Sequence, residues 1–476
     1  MIPRRHFLTR AGAFAAGFVG LRRAMLAHAS GAGALPVRAM ADDGYGPLVR
    51  DPMGLFDLPK GFKYHAFSRT GEIMDDALLV PGAHDAMAAF PGPDGLTIVV
   101  RNHEIEPGQD VPGPFGYDNE LFAKVDRTKL YDAGTHSPSR GGTTTFLYDT
   151  RAGKGPGRLI RHWMSLAGTE RNCAGGPTPR NTWITCEECV FKSGKDFAKD
   201  HGYCFEVPAS AEIGLVDPVP LKAMGRFQHE ACCTDPTTGI VYLTEDRPDG
   251  LVYRFIPKER NNLAAGGRLQ ALVVKGKPSC DTSNWVPKNA APPERIAVGQ
   301  HLPAVWMDLS NIDSPDDDLR FRGFSGGAAR FARGEGMWFA RGTVFMAMTE
   351  GGAGHHGQIW KYTPSRLEGT PAEFDQPGTL ELFVESSGPN VVQNADNISV
   401  APWGDLIVCE DEVNMDHPEQ FLLGITPAGS IYKIGRNAMN VSELAGACFS
   451  PDGTTLFLNI QRPGITLAIR GPWRKE

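Results

Sequence analysis

The chain has 476 residues, 22% charged and 41% hydrophobic, with a formal net charge of −7, which excludes a disordered chain and leaves room for a large core. The acidic balance also argues against nucleic acid as a partner. Glycine (56) and proline (37) are abundant and fall between short apolar runs, a pattern of many strands joined by turns.

The N-terminus reads as an address. Arg4-Arg5-His6-Phe7-Leu8 is a twin-arginine pattern, an apolar run covers residues 11–21, and Ala27-His28-Ala29 fits a small-x-small cleavage site. The expectation is a signal peptide over residues 1–29, one catalytic domain over 30–476, the twin-arginine export machinery as a partner, and a periplasmic or secreted protein. Cleavage would remove five arginines and no acid, making the charge more negative. The apolar run is too short to span a bilayer, and no later stretch approaches the roughly 18–20 apolar residues that a span needs. No stable membrane insertion is expected.

Residues 42–80 carry little periodic signal beyond 62–67. A unit then recurs, in which a short β-branched or aromatic run ends in polar residues. Residues 96–100 run into Arg101-Asn102-His103-Glu104, 182–185 into Cys186-Glu187-Glu188, and 240–243 into Thr244-Glu245-Asp246. The same unit follows at 344–348 with Thr349-Glu350, at 406–408 with Cys409-Glu410-Asp411, and at 456–458 with Asn459-Ile460-Gln461. Glycine-led second strands come after most of them, at 202–207, 250–255, 357–362 and 429–434. Residues 174–179 read as a turn before the strand at 182–185. About six or seven such units point to a β-propeller, in which strand tips distant in sequence meet at one mouth of the axial channel. The stretches 107–139 and 258–318, rich in Pro, Gly and Asp, read as insertions roofing one face.

Polar clusters mark the tips: His84-Asp85, His103-Glu104, Asn172-Cys173 with Glu187-Glu188, His229-Glu230, Glu245-Asp246, Arg333-Gly334-Glu335 with Glu350, and Asp396-Asn397 with Glu410-Asp411. One acid at a strand tip is ordinarily a turn or cap residue. Acids recurring at equivalent places in one mouth repel each other unless cations lie among them, so together they argue for metal. Nine cysteines occur, all at or after Cys173, and an odd number in an exported protein leaves at least one unpaired. Cys173, after Asn172 and before a Gly-Gly pair, is the candidate; the others fit buried apolar residues or disulfides. His103 and His229 fit either core histidines or site residues. Arg333 fits a surface arginine or, two residues before Glu335, a guanidinium that meets an anionic substrate. Residues 323–327 match G-x-S-x-G, but no strand precedes them, against a hydrolase elbow.

The motifs NCAGG with TCEE (172–188), GRFQHE (225–230), VYLTED (241–246), ARGEG (332–336), ADN (395–397) and NIQRPG (459–464) resemble those of the PhoX-type alkaline phosphatases, in the same order along most of the chain. That resemblance implies an all-β, six-bladed β-propeller whose channel mouth holds calcium (Ca2+) and ferric iron (Fe3+) bridged by an oxo group. It implies Cys173 as a thiolate ligand and Glu188, Glu230 and Asp396 as carboxylate ligands, with Glu187, Glu245 and Asp246 as further metal candidates. Arg333 and Glu335 look like the catalytic, substrate-side pair, Glu335 also lying at the metals. The activity implied is hydrolysis of small-molecule phosphate monoesters. Two rival readings are a calcium-dependent propeller lactonase, which would not require Cys173, and a non-enzymatic propeller with structural calcium.

Overall fold

The run that opens each recurring unit is where the sequence speaks most plainly. Val241–Glu245 (VYLTE) is branched, aromatic and buried along its whole length, as a strand covered on both faces must be. The computed structural model describes residues 44–152, 155–286, 294–388, 391–411 and 418–475. The signal peptide expected at 1–29 therefore lies outside the described residues. Among those described, one short α-helix (Leu319–Ser325) and five 3-10 turns accompany the strands, and no helix is long and apolar enough to cross a membrane.

The chain is all-β and propeller-like. Antiparallel meanders follow one another: His84–Pro91, Thr97–His103, Gly141–Asp149 and Arg158–Thr169; then the three strands Asn172–Thr178, Thr182–Glu187 and Cys204–Pro208; then His229–Thr234, Val241–Glu245, Gly250–Glu259 and Asn262–Val274. Gly334–Ala340, Thr343–Met348, Gln358–Thr363 and Gly378–Glu385 form the fourth, and Ala395–Val400, Leu406–Glu410, Phe421–Ile425 and Ile431–Asn437 the fifth. The sixth takes Leu444–Phe449, Thr455–Ile460 and Ile465–Arg470, and completes itself with Lys63–Phe67 from the other end of the chain. Each meander's first, inner strand packs on that of the next, and the last, Leu444–Phe449, packs on the first, His84–Pro91. Large aromatic side chains, Trp163, Trp183 and Trp360 among them, fill the space between sheets.

Several expectations need correction. Residues 174–177 are not a turn: they belong to the inner strand Asn172–Thr178. Their glycines serve close approach, since a Cβ on Gly175 would stand 2.0 Å from the Ile184 carbonyl oxygen and one on Gly176 1.9 Å from that of Cys232. The glycine-led strand after residue 429 is the fourth of its sheet, Phe421–Ile425 preceding it. Much of 258–318 is sheet instead of roof: Asn262–Val274 extends the third meander, and His301–Asp308 joins it to Gly378–Glu385, fusing two meanders along their outer edges. The stretch 107–139 holds two 3-10 turns and no named strand.

All six inner strands carry the same irregularity. His84 pairs with His103 and Met87 with Arg101, so Asp85 and Ala86 oppose a single residue. The register slips likewise between Asn172 and Gly175, His229 and Cys232, Gly334 and Met337, Ala395 and Ile398, and Ala445 and Cys448. Such a β-bulge re-aims one side chain and sharpens the local twist.

Candidate metal centre

The first bulged position is occupied in turn by Asp85, Cys173, Glu230, Glu335 and Asp396, and in the sixth meander by Gly446. The next position is small or short in every meander: Ala86, Ala174, Ala231, Gly336, Asn397 and Ala447, which together line a small cavity. Side chains on second strands hold several of the bulge carbonyls. Asn102 donates to the carbonyls of Cys173 (3.1 Å) and Ala174 (2.7 Å), Thr244 to that of Glu335 (2.6 Å), and Asn459 to that of Asp85 (2.6 Å). In each case the second strand of one meander fixes the bulge of the next.

Five of these side chains, with two strand-tip acids, form three groups whose donor atoms lie within 4.8 Å of one another: Asp85, Glu104 and Cys173; Cys173, Glu188 and Glu230; and Glu230, Glu335 and Asp396. Cys173 and Glu230 are each shared between two groups, and Cys173 Sγ lies 3.4 Å from Glu230 Oε1. Burial, then the neighbouring Asp85, Glu230, Glu104 and Glu188, pushes the Cys173 thiol well above its usual range. Burial followed by Glu335 and Glu188 does the same to Glu230, and burial followed by Asp411 pushes Asp396 up to about 8. Glu230 Oε2 is buried with no hydrogen-bond partner, a costly state for a carboxylate oxygen unless a cation meets it.

Adjacent acids at a tip divide their work by strand alternation, since successive side chains point to opposite faces. Glu188 faces the groups above, whereas Glu187 accepts from His201 Nδ1 (2.6 Å), Gly202 N (2.8 Å) and Glu170 N (3.0 Å). Glu245 likewise turns away, accepting from Tyr253 Oη (2.7 Å) and Leu251 N (3.1 Å). Asp246 faces the mouth but is engaged by Arg333 through Nε (2.7 Å) and Nη2 (2.8 Å). The structure thus brings together Cys173, Glu188, Glu230, Glu335 and Asp396 and leaves Glu187, Glu245 and Asp246 outside the three groups. His103 and His229 are core histidines: His103 bonds the Gly82 carbonyl and Thr144, and His229 the Gly225 carbonyl.

Two guanidiniums flank the acids, both on residues with positive φ (43° at Arg171, 53° at Arg333). Arg333 Nη2 donates to Glu335 at 2.9 Å, and Nη1 lies 4.0 Å from Glu350. Burial works against its charge, but Glu335 and Asp246 outweigh it and hold its pKa above the usual arginine range. Arg171 bridges Glu104 and Glu188, both at 2.7 Å. The sequence places Asp85 and Glu104 among the tip clusters that argue for metal without singling them out as ligands, and it passes over Arg171. The signal for Asp85 was present, since His84-Asp85-Ala86, Asn172-Cys173-Ala174 and His229-Glu230-Ala231 share an acid or thiol followed by alanine. Nothing in the sequence marks Arg171. All nine cysteines are free thiols.

An all-β, propeller-like scaffold that gathers a thiol and six carboxylates defines a candidate metal centre. The family described as alkaline phosphatase PhoX matches residues 43–464, and the chain belongs to that family of metal-dependent phosphoric monoester hydrolases. Among solved structures it is similar to Pseudomonas fluorescens PhoX in complex with vanadate, a transition-state analogue, with 16% identity, a TM-score of 0.61, and 92% of this chain and 97% of that chain covered. It is also similar to a gluconolactonase from Xanthomonas campestris, at 12% identity, TM-score 0.37 and 90% and 98% coverage. No curated protein matches the chain.

Proposed function

We propose that the chain is an exported phosphomonoesterase whose six meanders are the blades of a six-bladed propeller and whose three linked groups hold calcium and ferric iron. The sharing of Cys173 and Glu230 between groups carries this reading, because donors common to two sites hold a cluster instead of isolated ions. The donors fit: calcium takes the carboxylate oxygens, and a thiolate has its use at a transition metal. Bound cations would neutralise the phosphoryl oxygens and supply the charge that the buried acids lack. Arg333, its fork held by Asp246 and Glu335, meets the equatorial oxygens of the phosphoryl group as the alcohol leaves. Arg171 orients Glu104 and Glu188 from the other side. A thiol among the donors and membership of the phosphatase family both favour this reading over a calcium-only lactonase. Twin-arginine export rests on Arg4 and Arg5.

The test is metal analysis of protein recovered from its export route, followed by chelation and readdition. Iron and calcium are expected in the purified protein, with a visible thiolate-to-iron charge-transfer band. Activity on a chromogenic phosphate monoester should vanish on chelation and return with calcium, and Cys173→Ser should lose colour, iron and activity together while remaining folded. Full activity after exhaustive chelation, or a Cys173→Ser variant that keeps iron and rate, would sink the assignment.

A further inference from the structure

Beside the cluster, between the 107–139 stretch and the loop leading to His201, lies a cavity of about 520 Å³, the size of a small-molecule site. Glu170 lines its inner corner, and the next residue, Arg171, reaches the cluster acids Glu104 and Glu188. The cavity therefore adjoins Arg171, the guanidinium that holds two acids of the cluster. Four carboxylates line it: Asp110, Asp118, Glu170 and Asp196. Arg140, the guanidinium at its wall, is committed to three carbonyls, those of Val111 (2.9 Å), Gln109 (3.0 Å) and Glu106 (3.2 Å). Ser139, 3% exposed, sets its hydroxyl beside the Glu170 carboxyl in the same corner.

The spacing separates a metal from a larger cation. These carboxylates are absent from the groups whose donor atoms converge within 4.8 Å, so a bare ion finds no cage among them. Tyr117 and Phe197 also line the cavity, and Phe197 is held by stacking on Phe191 at 5.0 Å. Carboxylates spread around aromatic rings suit an organic ammonium, which gains both charge pairing and cation–π attraction. We propose that this cavity receives the alcohol portion of the substrate and selects phosphate monoesters whose alcohol carries a positively charged amine. The inference rests on the phosphatase reading for its chemistry.

The experiment compares kcat/KM for ethanolamine phosphate and glycerol phosphate on the metal-loaded full-length protein. Wild type should prefer the amine ester by about tenfold, the scale of one well-placed contact. Glu170→Gln should abolish that preference and leave glycerol phosphate unchanged. Because Glu170 is buried, the double variant Asp118→Asn/Asp196→Asn, on exposed loops, provides a second arm that should weaken the preference without touching the fold. Equal turnover of the two esters by wild type, or equal losses on both esters in the variants, would overturn the proposal. If wild type hydrolyses neither ester, the phosphatase reading fails, and calorimetric titration with choline still reads the cavity. Binding lost in Glu170→Gln would then uphold the ammonium site, and no binding by wild type would overturn it.

Discussion

Arg333 shows how much one side chain is asked to do. It is fixed by Asp246 and Glu335 yet remains 28% exposed, which leaves part of its fork free for an anion. Arg333→Ala removes a charge-assisted contact made as charge develops in the transition state and is expected to cost about 3 kcal/mol, roughly a hundredfold in kcat/KM. Steady-state kinetics beside thermal melts check this, and an unchanged rate, or a loss of stability of equal weight, would return Arg333 to a structural role. His201 offers a different test. Burial alone would depress its pKa, but Glu187 at 2.6 Å and Asp132 at 3.2 Å overcome this and push it up to about 10 from the ordinary 6.5. A folded-state pKa raised in this way gives stability that is complete below about pH 6.5 and is lost as pH rises through about 10. His201→Gln should therefore be less stable than wild type at pH 6 and lose less on going to pH 10, as denaturant midpoints would record. Parallel pH profiles for the two proteins would refute the ion pair.

At the scale of elements, the legible part of the molecule is the set of second strands. Runs such as LTIVV and VYL announce themselves by β-branching, and the acids after them mark the mouth. The inner strands were hidden because Asn172–Thr178 (NCAGGPT) and His229–Thr234 (HEACCT) spend their positions on candidate ligands and on small residues that permit close approach, both poor in strand formers. The slip of one residue that aims each ligand is a property of pairing, and a single strand does not display it. Paired acids misled for a related reason: alternation sends Glu187 and Glu245 to the loops, and only the register shows which of two neighbours faces inward. Gly446 gives the bulge its sharpest test. It has φ +68°, and a Cβ there would lie 2.7 Å from the Asp85 carbonyl oxygen and 2.9 Å from Met87 Cγ. Gly446→Ala is expected to cost roughly 1–3 kcal/mol and, by displacing Asp85, to lower metal content per chain. Unchanged melting temperature and metal stoichiometry would show that the bulge tolerates a side chain.

Across the whole molecule, the centre draws on five meanders, so its acids are neighbours only while the ring is shut. Six buried carboxylates around one thiol oppose that closure unless cations lie among them, and a ligand that binds only the folded state adds about 2.7 kcal/mol at a hundredfold excess over its Kd. Calorimetry should accordingly show a lower melting temperature in chelator and recovery with calcium. A melting temperature indifferent to both would mean that the acids are accommodated by protonation. The sequence showed recurrence but gave no sign of how the ring shuts, because KYHAF at Lys63–Phe67 pairs with Ile465–Arg470 about four hundred residues later, and distant pairing leaves no local trace.

That pairing sets an order of events during synthesis. Every donor from Asp85 to Asp396 leaves the ribosome before the strand that locks the circle, Ile465–Arg470. Until that strand is made, the thiol and acids belong to a ring that has no closing partner for Lys63–Phe67. A chain truncated before Ile465–Arg470 is therefore expected to carry every donor and yet hold no metal, because the ring that brings the donors together stays open.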